Sequence, residues 1–326
     1  RAARPGRSAG SPPRCPQPPF GPNTFVGNNL SAPALTNRTR LESYALGDTM
    51  AMLDDKVLVT LGARYQRFDI EDFAYNTGEL TSHYNQGATS PLLGLVVKPL
   101  RELSLYANYA EGLTQGETAP IFVSPPPVNA GEQLAPYVTK QAEAGFKWDL
   151  GRFGGGLAFF DIRQPRAYID SANVFVADGY NQHRGIEINA FGLATTGVRV
   201  LGGITFLDAV QQDTGSPATD GKRVIGTPRQ YGSLGAEWDI AALPGFMVEG
   251  RAVFTGSSYA DALNTLLVPG WTRFDIGARY AATIAGRDVT IRARIDNVAD
   301  RDYWASVGGF PGAGYLVLGA PRSQTP

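Results

Sequence analysis

The sequence has few of the features that would identify a helical membrane protein, a disulfide scaffold or a nucleic-acid binder. In its 326 residues, no apolar run approaches the roughly 18–20 residues that a membrane-spanning helix needs. The single cysteine, Cys15, excludes an internal disulfide and a cysteine-ligated metal cluster. The formal net charge of -1 provides no basic field for nucleic acid. The lack of a long apolar run does not exclude a membrane β-barrel, because barrel strands are apolar only at alternate positions.

Catalytic and metal-binding patterns are also scarce. The only two histidines, His83 and His183, do not stand at a spacing used for metal ligation. We therefore predict no catalytic residue, no metal site and no bound cofactor, and we expect the protein not to be an enzyme. A barrel enzyme remains a rival interpretation, since a nucleophile and a base can be brought together by the fold alone.

What the sequence does contain is alternation with a period of two. In the stretch 286–301, aliphatic side chains alternate with charged ones, which indicates an extended strand with one apolar and one polar face. The same design recurs in about 12 segments after Thr36. The connections between segments alternate in length. They are short near 54, 99, 150, 195, 243 and 285, and long near 72–88, 112–136, 164–181, 211–227, 257–269 and 300–314. The segment 164–181 fits either a long loop or an outward extension of the two strands beside it.

This pattern predicts an all-β fold, a transmembrane antiparallel up-and-down β-barrel. Tight turns at one end and broad loops at the other are typical of outer-membrane barrels. Segments of roughly 10 residues or more fit a tilted crossing of the bilayer. Trp148, Trp238 and Tyr280 stand beside short turns, as an interfacial aromatic girdle requires. A soluble β-sandwich or propeller is the alternative, although its strands usually run about 5–6 residues and its loops are not segregated by length.

Five motifs resemble those of the TonB-dependent outer-membrane receptors, within them the ferric-siderophore receptors. Residues 296–304 read DNVADRDYW, which is similar to the family's N-(L/V)-F-D-(K/R)-x-Y-Y, and Gly-Ala-Pro-Arg at 319–322 is similar to its G-x-P-R. The other three are YANYAEG at 106–112, YVTKQAEAGFK at 137–147 and HRGIE at 183–187. All five follow the family's order.

The resemblance implies a partial barrel, about 12 strands of a 22-stranded fold, in the outer membrane of a Gram-negative bacterium. It implies capture of an iron-siderophore complex and import driven by the inner-membrane TonB energy-coupling complex through a plug domain. We interpret the chain as a C-terminal fragment that lacks that plug and the last strand. Outer-membrane lipid is a further expected partner, and nucleic acid is not. A passive or structural outer-membrane barrel is the alternative function.

We divide the chain into a disordered Pro/Arg-rich leader at 1–35, a barrel portion at 36–322 and a tail at 323–326. Side chains of the outer loops are predicted to bind the siderophore, by stacking on its planar groups and pairing with its charge, although packing within the loops fits each equally well. These are Phe122, Arg166, Tyr168, Phe175, Tyr180 and Tyr259. A second set is predicted to face the lumen, as a wet wall, a plug contact or part of the ligand route: Arg251, Arg273, Arg279, Arg292 and Arg294.

Overall fold

The computed structural model describes residues 34–75, 77–310 and 313–325, and all regular structure within them is β-strand. No helix in this part of the chain is long and apolar enough to span a membrane. The strands are β1 (Asn37–Met52), β2 (Val57–Phe73), β3 (Leu80–Leu100), β4 (Leu103–Thr114), β5 (Tyr137–Asp149), β6 (Phe153–Ile169), β7 (Phe175–Thr195), β8 (Val198–Gln212), β9 (Gln230–Asp239), β10 (Phe246–Thr255), β11 (Ser258–Tyr259), β12 (Leu267–Val268), β13 (Trp271–Ile284), β14 (Arg287–Asp296), β15 (Trp304–Phe310), β16 (Ala313–Leu318) and β17 (Ser323–Thr325).

Thirteen of the strands form one sheet whose order follows the chain: β1-β2-β3-β4-β5-β6-β7-β8-β9-β10-β13-β14-β17. The remaining strands make two small hairpins, β11 with β12 and β15 with β16, inside the last two long connections. Within the described residues, β1 pairs with β2 and β17 with β14, and β1 and β17 do not pair with each other. The predicted antiparallel up-and-down architecture and its partial, unclosed sheet are therefore confirmed.

The described residues divide into two compact units. The smaller one comprises Ile70–His83 and the residues up to Thr39. In it the Asp72 carboxylate accepts hydrogen bonds from Asn37 Nδ2 at 2.7 Å and from Ser82 Oγ at 2.8 Å. The larger unit, Arg40–Asp69 with the residues from Tyr84 onward, contains the paired strands β4 to β10, β13 and β14.

Short connections lie at one end of the strands, as predicted: 53–56, 101–102, 150–152, 196–197, 240–245 and 285–286. One of the three two-residue turns joins the paired residues Ile284 and Arg287. Its two central residues, Ala285 and Gly286, both have positive φ, 52° and 75°. Two successive left-handed residues make the type I′ turn, whose twist matches that of the strands it joins.

The predicted long loop 72–88 is wrong, because most of its residues continue the strands, and 164–181 takes the second of its two predicted forms, an outward extension of the strands. β6 and β7 stay paired as far as Ile169 and Phe175, and β3 already begins at Leu80. Beyond the apolar band both faces of a strand meet water, so polarity no longer alternates. Pairing nevertheless continues, since each backbone N–H and C=O still finds a partner on the neighbouring strand.

The end of the chain also differs from its prediction. Ser323–Thr325, predicted as a tail, form β17, which pairs with the last residues of β14, from Arg294 to Asp296. At the other end, residues 1–33 of the predicted leader lie outside the described residues. The boundaries assigned to the leader and the barrel portion stay predictions.

Candidate functional site

The large sheet has one apolar and one polar face, because its registers keep alternate residues in step across the strands. On one face Val248 pairs with Ala278 and Ala278 with Ala293. Large apolar side chains on this same face are exposed, among them Trp238, Phe274, Tyr280 and Ile291. Burying so wide an apolar surface requires lipid or another apolar medium. We call it the apolar face.

All five arginines predicted to face the lumen lie on the opposite, polar face. The register pairs Arg251 with Asp275, Arg279 with Arg292 and Arg294 with Gly277. Arg273 precedes Asp275 by two residues in β13 and so points to the same side. The structure thus brings the set onto one surface, and its assignment to a lumen stays a prediction.

Asp275 is the centre of the polar face near the long connections. Its carboxylate is only 2% exposed. It accepts hydrogen bonds from Arg273 Nη2 at 3.0 Å, from Arg294 Nη2 at 3.4 Å and from the Asn297 backbone N–H at 2.9 Å. Arg273 Nε lies 3.0 Å from Oδ1 without the alignment of a hydrogen bond, so this contact is electrostatic. Two guanidinium groups and a backbone donor therefore compensate one buried negative charge.

Asn297, which is 1% exposed, fastens both ends of the connection 297–322. Its Nδ2 donates to the Arg301 carbonyl at 2.9 Å and to the Ala320 carbonyl at 3.2 Å, and its Oδ1 accepts from the Arg301 N–H at 2.9 Å. Tyr303 adds a ring contact with Trp271, at 4.3 Å between centroids. We call this arrangement the Asn297 clamp. The clamp gives the DNVADRDYW motif a structural role, whereas the sequence alone showed only that the motif resembles one of the family's.

The predicted siderophore-binding residues are placed differently from their prediction. Two of them lie in long connections: Phe122 in 115–136, where it is 95% exposed, and Tyr259 in the short strand β11 within 256–270. The other four lie in strands of the large sheet, Arg166 and Tyr168 in β6 and Phe175 and Tyr180 in β7. Phe175 is 7% exposed, and its backbone N–H and C=O both bond the Asn129 side chain. It therefore anchors the connection 115–136, and its ring is not free to stack on a ligand.

Arg166 and Tyr168 also hold connections in place. Arg166 Nη1 donates to Gln211 Oε1, and Gln211 Nε2 donates to the carbonyls of Arg223 at 3.0 Å and Ala262 at 3.2 Å. The Tyr168 ring packs on Gly215, where it leaves no room for a Cβ. These contacts join β6 and β8 to the connections 213–229 and 256–270.

The two connections are joined further through residues that sequence reasoning missed. Asn264 accepts the Arg223 N–H at 2.7 Å with Oδ1 and donates to the Arg223 carbonyl at 3.1 Å with Nδ2. Its φ of 60° is left-handed, which asparagine tolerates better than most residues. An Asn in a polar loop is too common for its sequence context to have signalled this role.

Two charged groups in these connections have shifted pKa values. The Leu266 and Thr265 N–H groups bond the Asp261 carboxylate at 2.7 and 2.9 Å, and they lower the pKa of that carboxyl below 3.8. Burial, together with the neighbouring charge of Arg229, lowers the pKa of the Arg223 guanidinium. Arg223 Nη2 is buried, and no acceptor contacts it in the described part of the chain.

Residues that could bind a metal do not cluster. No group of three or more His, Cys, Asp or Glu side chains within the described ranges is placed to hold a metal ion.

Comparison with known proteins gives a consistent result. The family model described as "TonB dependent receptor-like, beta-barrel" matches residues 9–298. The ferrichrome receptor FcuA of Yersinia enterocolitica is 36% identical over 304 residues, which cover 93% of this chain and 40% of that receptor. The crystal structure of BauA, the ferric preacinetobactin receptor from Acinetobacter baumannii, has a TM-score of 0.77 at 37% identity, covering 88% of this chain and 42% of that one.

A second solved structure shares the fold at lower identity. The siderophore receptor PiuA from Acinetobacter baumannii is 20% identical with a TM-score of 0.70, covering 89% of this chain and 43% of that one. The chain therefore spans less than half the length of each of these relatives. All three are receptors.

Proposed function

Because the chain belongs to the TonB-dependent receptor β-barrel family, we propose that it forms part of the wall of an energy-coupled ferric-siderophore receptor. The observation that carries the proposal is the pair of relatives above 35% identity, which are a ferrichrome receptor and a ferric preacinetobactin receptor. The chain is a portion of an outer-membrane barrel of a Gram-negative bacterium, where this family resides.

The two faces of the sheet support this function physically. The apolar face contacts lipid, and the polar face lines the lumen, where Arg251, Arg279 and Arg292 meet water, a plug or the passing ligand at little cost. The long connections then lie outside the cell, because outer-membrane barrels have short periplasmic turns and long external loops. The ferric siderophore is captured there and imported with energy supplied through TonB.

Among the predicted ligand residues, Phe122 is the strongest remaining candidate. It is almost fully exposed, so its ring can stack on a planar chelating group without rearrangement. Tyr259 stays a second candidate, since its carbonyl, and not its ring, is held by Gly226 N–H at 2.8 Å. Tyr180 is less suitable, because the Arg163 guanidinium already covers its ring at 5.8 Å from the centroid.

The test is uptake of radioactive iron by a receptor-deleted strain that expresses the full-length receptor containing this chain. Ferrichrome and ferric preacinetobactin are supplied in separate arms, each with and without a protonophore. We expect uptake of one chelate, abolished by the protonophore and reduced by Phe122→Ala. As a control, Tyr280→Ala changes an exposed aromatic on the apolar face, at the short-turn end of β13, and should leave uptake unchanged.

Two outcomes would contradict the proposal. Uptake that persists after the proton gradient collapses would indicate a passive barrel. Rescue by residues 1–326 alone would show that no further barrel or plug segment is needed. We expect no such rescue, because an open sheet in hydrocarbon leaves unmatched N–H and C=O groups along both edges.

A further inference from the structure

The connections opposite the short turns carry an excess of negative charge. These six outer connections are 74–79, 115–136, 170–174, 213–229, 256–270 and 297–322. Together they contain nine Asp or Glu residues and five Lys or Arg residues, so their formal net charge is -4. The whole chain has a net charge of only -1. Its negative charge is therefore concentrated at the end of the sheet where the proposed receptor meets its ligand.

Two of the outer connections are tied together and share this charge in its most one-sided form. The Val128 N–H donates to the Asn173 carbonyl at 2.8 Å, and Asn173 Nδ2 donates to the Pro126 carbonyl at 2.8 Å. These bonds join 115–136 to the turn 170–174. The two connections contain three acidic residues and no Lys or Arg. We call them the acidic block.

Two carboxylates of the acidic block, those of Glu117 and Glu132, are free to act on a ligand. They flank an isolated bridge between Thr118 and Gln133, which fixes the backbone on both sides. Both residues are exposed. Neither carboxylate forms a hydrogen bond or an ion pair within the described residues. Their negative charge therefore acts outward on whatever approaches the connection.

Between these two carboxylates in the sequence, the chain forms an apolar tip. Ile121, Phe122 and Val128 are all exposed, and no charged residue occurs from Thr118 to Gly131. Such a tip can contact the apolar or planar part of a ligand. It offers no positive charge to an anionic one.

The arginines at the outer ends of β6 and β7 do not supply the missing positive surface, because each is already engaged. Their partners are Gln211 for Arg166, the Tyr180 ring for Arg163 and the Asp161 carboxylate for Arg184. The acidic block is therefore not neutralised by the strands beside it.

The charge of a ferric chelate depends on its chelating groups. Three hydroxamates are monoanions, so they balance Fe³⁺ and leave a neutral core, to which a free amine adds a positive charge. Three catecholates are dianions and leave the complex strongly anionic. A surface of net negative charge repels the second kind at long range and slows its association, whereas it does not repel the first.

We propose that the acidic block makes this receptor selective for a neutral or cationic ferric trihydroxamate and excludes a ferric tricatecholate. The apolar tip at Phe122 contacts the aliphatic arms and the planar hydroxamate groups, and Glu117 and Glu132 repel a polyanionic chelate. The inference rests on the proposed siderophore-receptor function, which by itself leaves the chemical class of the chelate open.

The test measures binding of three ferric chelates to the full-length receptor in detergent, by quenching of tryptophan fluorescence. The chelates are ferrichrome, ferrioxamine B and a synthetic tricatecholate, each at about 0.02 M and about 0.5 M salt. The variant is Glu117→Lys with Glu132→Lys. The matched control, Glu102→Lys with Asp288→Lys, makes the same change in charge at exposed residues of the short-turn end. Heat-modifiable migration on gels checks that each protein is folded.

We expect wild type to bind at least one trihydroxamate, and to bind the tricatecholate about tenfold or more weakly at low salt. The double variant should reduce this difference by about tenfold, and the reduction should shrink at high salt because the charges are exposed. The control variant should keep the difference of wild type. If the double variant fails to fold, Glu132→Lys decides alone, with an expected reduction of about threefold.

The outcomes separate the inference from the function on which it rests. Wild type that binds the tricatecholate as tightly as the trihydroxamates would overturn the inference and leave the receptor function standing. A difference that the acidic-block variant does not change, or that the control variant changes equally, would overturn the role of Glu117 and Glu132. Binding of none of the three chelates would refute the proposed function and the inference with it.

Discussion

Replacing Asp275 with Asn should destabilise the receptor more than any other single loss of charge on its polar face. The substitution keeps the shape of the side chain but removes the negative charge that Arg273 and Arg294 share. It also turns an amide NH2 group toward one of those guanidinium groups. The Asn297 backbone N–H then competes with the two guanidinium groups for the one carbonyl oxygen that the new amide offers.

The expected loss is about 3 kcal/mol in the free energy of unfolding. Breaking a buried ion pair by removing one partner costs roughly 3–5 kcal/mol. The lower end applies because Arg294 is 39% exposed, so water partly solvates its charge once the carboxylate is gone. Asp275→Ala should cost roughly 1 kcal/mol more, since the Asn297 N–H then loses its acceptor as well.

Urea unfolding of the full-length receptor in detergent, followed by tryptophan fluorescence, measures the difference. The matched control is Asp288→Asn, an exposed carboxylate on the same strand face as Arg292 and Arg294 that accepts one bond from Thr283 Oγ1 at 2.9 Å. It should change the unfolding free energy by no more than about 1 kcal/mol. If the Asp275 and Asp288 variants lose equal stability, the compensated buried charge is not what stabilises this end of the sheet.

Three further predictions concern the lipid face, the clamp and an outer connection. Ala278→Arg places a charge at the centre of the apolar row of β13, which should cost about 2–4 kcal/mol of folding free energy and impair membrane assembly. Arg279→Ala on the polar face should assemble normally. Reversed yields of folded barrel for the two variants would show that the faces are misassigned. Asn297→Ala should cost about 1–3 kcal/mol and make the last long connection more sensitive to protease, and unchanged cleavage rates would contradict the clamp. The pKa of the Asp261 carboxyl is lowered on folding, so the stabilisation that this carboxylate gives its connection is present above the ordinary value of 3.8 and is lost as the pH falls through the lowered pKa. Asp261→Asn should therefore speed hydrogen exchange in the connection 256–270 at neutral pH but not in acid.

The sequence predicts the fold well where lipid imposes a pattern. Side chains facing hydrocarbon must be apolar while their neighbours face the other way, so period two is visible in β13 and β14 without any structure. The alternation of short and long connections follows from the same geometry. Outside the lipid-facing band that constraint ends. The upper halves of β6 and β7 therefore keep their pairing but lose the alternation, which is why the sequence does not distinguish a loop from extended strands at 164–181.

The candidate site could be predicted much less well. Sequence identifies aromatic and arginine residues near the long connections, but it does not show which of them the fold already occupies. Phe175 and Arg166 have the right chemistry, and each is engaged by a residue far away in sequence, Asn129 and Gln211. Arg223 was overlooked because its burial depends on the fold of its connection, in which an isolated bridge joins it to Val210 of β8.

Side-chain amides hold the outer connections in place: those of Gln211 and Asn297 are buried at strand ends, and that of Asn129 is half-buried within its own connection. Gln211 holds two connections, Asn129 fastens the connection 115–136 to β7, and Asn297 closes the base of 297–322. In each case a side-chain amide bonds backbone N–H or C=O groups, so the anchor depends on main-chain geometry and not on the residues of the loop tip. Tip residues such as Phe122 make no part of these anchors. A wall built in this way can change its exposed loop residues without losing the attachment of its loops, which is the separation that a receptor family with many different ligands requires.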